Sequence, residues 1–92
     1  MSATLVYWAT EGGNRLRALK LTICSEEDRP EGGLANVRRR RLCRILREAV
    51  AQGARLGYRD LCMIMLASKA TLKRDMVFLR KQGFDIRLRG NG

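Results

Sequence analysis

A basic segment, residues 68–81, holds the side chains best suited to chemistry in this sequence. At 100° per residue, Leu72, Met76 and Leu79 fall within about 60° of one another on a helix. The other half of the same helix is basic or small and carries Ala70, Lys73, Arg74 and Lys81. The apolar stripe would anchor such a helix, and its basic face would then be free to enter a DNA major groove, which is about 12 Å wide. A basic amphipathic helix is equally compatible with a surface that only faces solvent.

Different residues of this segment suit different contacts. Arg74 is the candidate for a bidentate contact with guanine, because a guanidinium group offers two parallel donors. Lys73 and Lys81 suit phosphate groups, and the small Ala70 would let the backbone approach base edges. Ser68 is expected to be the N-cap of the helix, with its hydroxyl accepting a backbone N–H of the first turn.

The balance of charge indicates a polyanionic partner. The 92 residues include 19 Lys and Arg against 9 Asp and Glu, which gives a net charge of +10. Residues 1–33 hold four basic and five acidic groups, a sum of −1, so residues 34–92 carry +11. Charge of one sign on so short a segment repels itself unless a polyanion offsets it. Nucleic acid is the first such partner to consider and an anionic membrane surface the second; a basic protein with no specific partner is the remaining alternative.

The composition argues against an enzyme and against a bound cofactor. The sequence has no His, which removes the commonest general base and metal ligand. Cys24, Cys43 and Cys62 are odd in number and lack C-x-x-C spacing, so we expect no metal site and reduced thiols, as in a cytoplasmic protein. No apolar run reaches the ~18 residues of a membrane span, and no secretory signal is visible. We therefore expect no catalytic residue, no cofactor and no membrane association.

The patterns outside the basic segment predict an α+β chain of two parts. Residues 1–33 are expected to hold a β-hairpin over residues 4–24, where apolar and polar residues alternate, followed by an acidic linker. A lone two-stranded ribbon is marginal in water. Because Leu5, Tyr7 and Trp8 are costly to expose, we expect the hairpin to form a homodimer.

The second part, residues 34–92, is expected to be a three-helix domain that ends in a short strand. Apolar residues at spacings of three and four predict the helices. Two of them, at 58–66 and 69–82, are joined by a short turn, and the second is basic, which describes a helix-turn-helix. The alternation of apolar and charged residues over 84–89 predicts a half-buried strand.

The stretch SKATLKRDMVFLRKQGFDIRLRG, residues 68–90, resembles the C-terminal half of the winged helix-turn-helix of DeoR-type repressors. In that pattern S-x-x-T-[IL]-[KR]-R-D-[LM] opens the recognition helix, L-x-x-x-G closes it and R-x-R-G begins the wing. The match covers about a quarter of the chain. Extended back through EAVAQGARLGYRDLCMIML, the chain is also similar to the C-terminal region of a prokaryotic family of unknown function. The matching residues are Ser68, Thr71, Leu72, Lys73, Arg74, Asp75, Met76, Leu79, Gly83, Arg87, Arg89 and Gly90.

The resemblance implies a winged helix that binds DNA. The residues that it places against DNA are Ser68, Thr71, Lys73 and Arg74. Asp75 is expected to make an internal salt bridge or cap instead.

This sequence departs from the family pattern at three places. Ala67 stands where Gly is usual, which would cost about 1 kcal/mol if that position needs a positive φ. The second helix follows Gly57, where Ser or Thr would cap better. The sequence reaches Gly92 directly after one wing strand, so we expect a truncated wing or one that pairs with the N-terminal ribbon, and no seat for a small-molecule effector.

The leading hypothesis is a small prokaryotic transcriptional regulator that binds specific double-stranded DNA as a homodimer. Two alternatives stay open: a winged-helix assembly module that uses the same helix against an acidic protein, and an RNA-binding accessory protein. Arg38–Arg41 would neutralise phosphates of the DNA backbone. The other residues expected at the DNA are Ser68, Lys69, Ala70, Thr71, Lys73, Arg74, Lys81, Arg59, Arg87 and Arg89.

Overall fold

Two strands precede three helices in the computed structural model, which describes residues 2–11, 15–26, 28 and 32–89. The strands are β1 (Ala3–Glu11) and β2 (Arg15–Cys24), and the helices are α1 (Leu34–Ala51), α2 (Tyr58–Met65) and α3 (Lys69–Lys81). This order confirms the predicted α+β class, with an N-terminal hairpin followed by three helices. The expected hairpin turn at 12–14, linker positions 27 and 29–31, and Gly90 of the wing motif lie outside the described residues.

The hairpin is an antiparallel pair whose two faces have different neighbours. Leu5 pairs with Leu21, and Tyr7 pairs with Leu19. Leu19 and Leu21 are fully buried in the core that β2 shares with α1. Trp8 points to the opposite face and is 61% exposed. Side chains of successive strand residues alternate between faces, so the alternation in the sequence decides which of them reach the helices.

One hydrophobic core joins the hairpin to all three helices. Apolar residues spaced by three and four along α1 and α3 lie on one side of each helix, and this side is the one that packs inward. The predicted stripe of Leu72, Met76 and Leu79 is buried, which confirms the expected orientation of α3. The most completely buried core residues are Leu19, Leu21, Leu42, Ile45, Leu46, Ala49, Leu56, Leu61, Leu72 and Met76.

The turn between α2 and α3 contains a left-handed residue, one position earlier than the family pattern suggested. Leu66, the C-cap of α2, has φ 54° and ψ 44°, and its side chain is 90% exposed. Among the described residues it is the only non-glycine with a positive φ, so Ala67 does not need that conformation. The left-handed region crowds the β-carbon and costs about 1 kcal/mol or more for an ordinary residue. The expected strain is therefore present, but at Leu66.

Residues 84–89 do not form the predicted wing strand. Their half-buried apolar residues do alternate with exposed charged ones, but the sheet of the described chain consists of β1 and β2 only. The backbone N–H of Arg89 donates to the carbonyl oxygen of Leu56 at 2.9 Å. A strand needs an aligned backbone partner along its length. The neighbour of this segment is the irregular connection between α1 and α2, which offers no such edge.

Candidate nucleic-acid interface

The outward side of α3 carries basic side chains without any carboxylate. Lys73, Arg74 and Lys81 are exposed, as are Lys69 and Ala70 near the start of the helix. Asp75 is the single acidic residue between positions 69 and 81, and it is fully buried. The helix therefore presents positive charge to solvent and keeps its negative charge inside. The structure brings five of the residues expected at DNA onto one surface.

Two internal attachments fix the orientation of α3. The first is the apolar stripe, in which Leu72 and Met76 are fully buried. The second is an ion-pair cluster between α1 and α3 centred on Asp75. Arg38 donates to Asp75 through Nε and through Nη2, the latter at 2.8 Å, and Arg39 Nε donates to Asp75 Oδ1 at 3.1 Å. Asp75 thus makes the internal salt bridge that the sequence predicted.

The titration of Asp75 reflects two opposing effects. Burial disfavours the carboxylate charge and by itself would raise the pKa. The hydrogen bonds from Arg38 and Arg39 outweigh burial and hold the pKa of Asp75 below its ordinary value. Asp75 therefore stays charged inside the protein at neutral pH, and it holds two helices together rather than facing a ligand.

Ser68 and Thr71 shape the start of α3. Ser68 is the N-cap, and its Oγ accepts the backbone N–H of Thr71 at 3.2 Å, as predicted. The Ser68 hydroxyl also donates to Thr71 Oγ1 at 2.9 Å. Both hydroxyls thus have partners within the protein, although Ser68 itself is exposed and Thr71 is half-buried. Their local role is to end the preceding turn and begin the helix.

Tyr58 belongs to this surface and was missed by the sequence analysis. It is the first residue of α2, and its ring lies 5.8 Å from Lys69 Nζ and 6.0 Å from Lys73 Nζ. Cations at such distances from a ring face are attracted by its quadrupole. The ring thereby connects the start of α2 to the first turns of α3. Its position directly before Arg59, which is exposed, was the signal that could have identified it.

Three of the four arginines at positions 38–41 of α1 pair with carboxylates of the protein, and the expected contact of this run with phosphate groups stays a prediction. Arg38 and Arg39 bind Asp75. Arg41 Nε lies 3.5 Å from Asp28 Oδ2, and the same carboxylate receives Arg44 Nη1 at 2.6 Å. The bond from Arg44 lowers the pKa of Asp28 to about 2. Because successive residues of a helix point in different directions, four consecutive arginines cannot share one binding face.

Arg89 also has partners within the protein, although its side chain is 44% exposed, and its expected contact with DNA stays a prediction. Its Nη1 donates to the carbonyl oxygen of Thr10, and its Nη2 lies 3.8 Å from Asp60 Oδ2. Asp60 accepts the N–H of Gly57 at 2.9 Å, which is the bond that the third residue of a helix makes back to the N-cap in a capping box. Gly57 itself has no side chain to accept an N–H of the first turn of α2. Arg89 therefore ties the C-terminal segment to β1 and α2, whereas Arg87 is exposed.

The hydroxyl of Tyr7 completes this cluster. It donates to Asp60 Oδ1 at 2.5 Å, which connects β1 directly to the first turn of α2. Burial and the bond to Asp60 together raise the pKa of Tyr7 to about 12. Tyr7 is thus an internal contact of the hairpin, although the sequence analysis had counted it among residues that a dimer would cover.

The comparisons with known proteins identify a family but no activity. Within the described ranges, no helix is long and apolar enough to cross a membrane, and no group of three or more Cys, Asp or Glu side chains could hold a metal ion. No curated protein and no solved structure matches the chain. Residues 12–92 match a family described as a protein of unknown function, DUF1670. Because the match extends over most of the sequence, the chain belongs to the DUF1670 family.

Proposed function

We propose that this protein binds double-stranded DNA through α3 and acts as a small sequence-specific transcriptional regulator. The observation that carries the proposal is the separation of charge on α3. Its exposed side is basic, and its one carboxylate, Asp75, is buried against Arg38 and Arg39. A helix with side chains is about 10–12 Å across, which matches the width of a major groove.

Each exposed residue would have a separate task. Arg74 would read a base, because a bidentate contact with guanine needs a planar pair of donors. Lys73 and Lys69 would contact phosphates and so set the position of the helix on the duplex. The ring of Tyr58 lies beside both ammonium groups and would hold them close to the start of α3. The resemblance to DeoR-type repressors, which rests on the same segment, implies that Lys73 and Arg74 face DNA.

Fluorescence anisotropy with labelled duplexes tests the proposal. Duplexes selected from a random pool would be titrated with wild-type protein, Arg74→Ala and, as the matched control, Arg15→Ala. Arg15 is an exposed arginine at the start of β2, so the control removes the same charge away from α3. We expect Arg74→Ala to lose about 1–3 kcal/mol of binding free energy on the selected site, which is about 5- to 150-fold in Kd. Equal losses for Arg74→Ala and Arg15→Ala would contradict the proposal.

The salt dependence separates backbone contacts from base contacts. Wild-type affinity should fall steeply between about 50 and 200 mM salt, and Lys73→Ala should reduce the slope of log K against log salt by about 0.9. A flat dependence would rule out the electrostatic basis of the proposal. Lys73→Ala should weaken binding to all duplex sequences alike, because phosphates carry no sequence information.

Two further measurements address the alternatives. Duplex RNA should bind much more weakly than duplex DNA, because the deep, narrow major groove of A-form RNA excludes a helix. Equal affinity for both would favour the RNA-binding alternative. Arg74→Glu should abolish binding to DNA and leave the oligomeric state unchanged. A loss of oligomers in this variant would instead favour a role of α3 in protein assembly.

A further inference from the structure

The outer edge of β2 is closed by side chains of α1. The backbone of Lys20 exchanges two hydrogen bonds with the amide of Gln52, each at 2.8 Å. The N–H of Thr22 donates to Glu48 Oε1 at 2.7 Å, and its carbonyl oxygen accepts from Arg44 Nε at 3.0 Å. Arg44 and Glu48 of α1 and Gln52, the C-cap residue of this helix, are spaced by four and therefore lie on one side of it. At Lys20 and Thr22 this edge therefore has no free backbone group for another strand.

The outer edge of β1 is open. Thr4 pairs with Thr22 and Val6 with Lys20, and these β2 residues direct their backbone groups to α1. In an antiparallel pair, opposite residues turn their backbone groups either toward each other or both outward. The backbone groups of Thr4 and Val6 therefore point away from β2. Those of Trp8, two residues further along the strand, point the same way. Within the described part of the chain, no hydrogen bond reaches these groups.

The open edge lacks the features that normally prevent strand addition. Natural edge strands are protected by charged residues, proline or bulges. Residues 2–10 contain no Asp, Glu, Lys, Arg or Pro, and the bulge-like irregularity falls between Ala3 and Thr4, at the very start of β1. The adjoining sheet face also exposes large apolar side chains: Val6 is 54% exposed and Trp8 61%. A strand with these properties is a site for a further strand.

We propose that a second copy of this chain adds its β1 antiparallel to this edge, which joins two hairpins into one four-stranded sheet. An antiparallel edge is complementary to itself under a two-fold rotation. The charge favours the same partner, because residues 34–92 carry +11 and repel one another between copies, whereas residues 1–24, which hold the hairpin, carry only +2. Two copies therefore approach each other with the least repulsion through their hairpins.

Arg89 limits the register at one end of β1, and the start of the strand at Ala3 limits it at the other. Arg89 occupies the carbonyl oxygen of Thr10, so the free outward positions of β1 are Thr4, Val6 and Trp8. A two-fold axis beside Val6 pairs Val6 with Val6 of the second copy and Thr4 with Trp8. A shift by one pair in the C-terminal direction would bring Thr10 into the ladder, where Arg89 already lies. This pairing uses no residue of α3, so it does not depend on DNA binding.

Cysteine cross-linking tests the register directly. In the background Cys24→Ser, which removes the exposed native thiol, Val6→Cys is oxidised under mild conditions. Opposite residues of a hydrogen-bonded pair have Cα atoms about 5.5 Å apart, within the range that a disulfide can bridge. Trp8→Cys is the matched control, because its two copies would be offset by four residues, or about 14 Å. We expect covalent dimers for Val6→Cys, none for Trp8→Cys alone, and dimers again when Trp8→Cys is mixed with Thr4→Cys. Cross-linking of Trp8→Cys alone, or none of Val6→Cys, would overturn this register.

Sedimentation tests the interface without cysteine chemistry. The wild-type protein should be a dimer at micromolar concentration, and Val6→Pro should be a monomer with unchanged circular dichroism, because the N–H that it removes points outward. Leu16→Lys, on the same sheet face but on β2, should remain a dimer. Edge pairing would be overturned if the wild-type protein were a monomer. It would also be overturned if Leu16→Lys disrupted the dimer and Val6→Pro left it intact. If Val6→Pro fails to fold, the cross-linking result decides.

Discussion

Replacement of Asp75 by Asn tests whether the ion pairs between α1 and α3 hold the basic helix in place. The carboxylate is fully buried, and the side chains of Arg38 and Arg39 are 31% and 23% exposed. Asp75 accepts two hydrogen bonds from Arg38 and one from Arg39. Asn has nearly the same size, but it has no charge and it turns amide N–H groups toward arginine donors. At least one of these bonds is therefore lost.

The expected cost follows from these contacts. A hydrogen bond to a charged group contributes about 1.5–3 kcal/mol, and removing one partner of a fully buried ion pair costs about 3–5 kcal/mol. Because both arginines keep part of their surface in water, we expect Asp75→Asn to lose about 2–4 kcal/mol. Domains of this length have a free energy of unfolding of about 5–14 kcal/mol, so the loss is a large share. Arg38→Ala should cost less, because Arg39 still binds the carboxylate.

Urea unfolding followed by circular dichroism, at neutral and at acidic pH, measures this cost. The pKa of folded Asp75 lies below its ordinary value. Its contribution is therefore complete above pH about 4 and disappears as the pH falls through the folded-state pKa. The difference between the wild type and Asp75→Asn should shrink accordingly at low pH. A loss below about 1 kcal/mol at neutral pH, or a difference that does not change with pH, would refute the reasoning.

Three further predictions concern contacts outside the Asp75 cluster. Leu66→Gly should raise the free energy of unfolding by about 0.5–1 kcal/mol in thermal melts, because it relieves the left-handed backbone, whereas Ala67→Gly should lower it. Tyr7→Phe should cost about 1 kcal/mol and should remove a phenol that titrates at about 12 in an ultraviolet pH titration. Because that pKa is raised, the stabilisation is complete below pH about 10 and is lost as the pH rises through about 12. Glu48→Ala should speed hydrogen exchange of the Thr22 amide severalfold, because it removes the acceptor of that N–H. Unchanged exchange would mean that a group other than Glu48 protects this amide at the edge of β2.

The sequence determined the elements of this protein and their inward faces. The alternation around Leu19 and Leu21 predicted a hairpin with one buried face, and the spacing of Leu72 and Met76 predicted how α3 is oriented. Such periods act through local geometry, because a strand repeats every two residues and a helix every 3.6. The N-cap role of Ser68 is local in the same sense, since it involves a residue only three positions away.

The tertiary structure decided which charged groups face solvent and which strand edge is open. The sequence does not show that Arg38 and Arg39 contact Asp75, 37 and 36 positions away, or that Arg89 contacts Thr10. A run of arginines is identical in sequence whether it contacts phosphates or internal carboxylates, and only the packing of the helices brings the partner carboxylates within reach. The prediction of a strand over 84–89 was wrong because it, too, depended on a partner that is distant in sequence. An alternating pattern specifies a face, but a strand also needs a neighbouring backbone, and the fold alone supplies it.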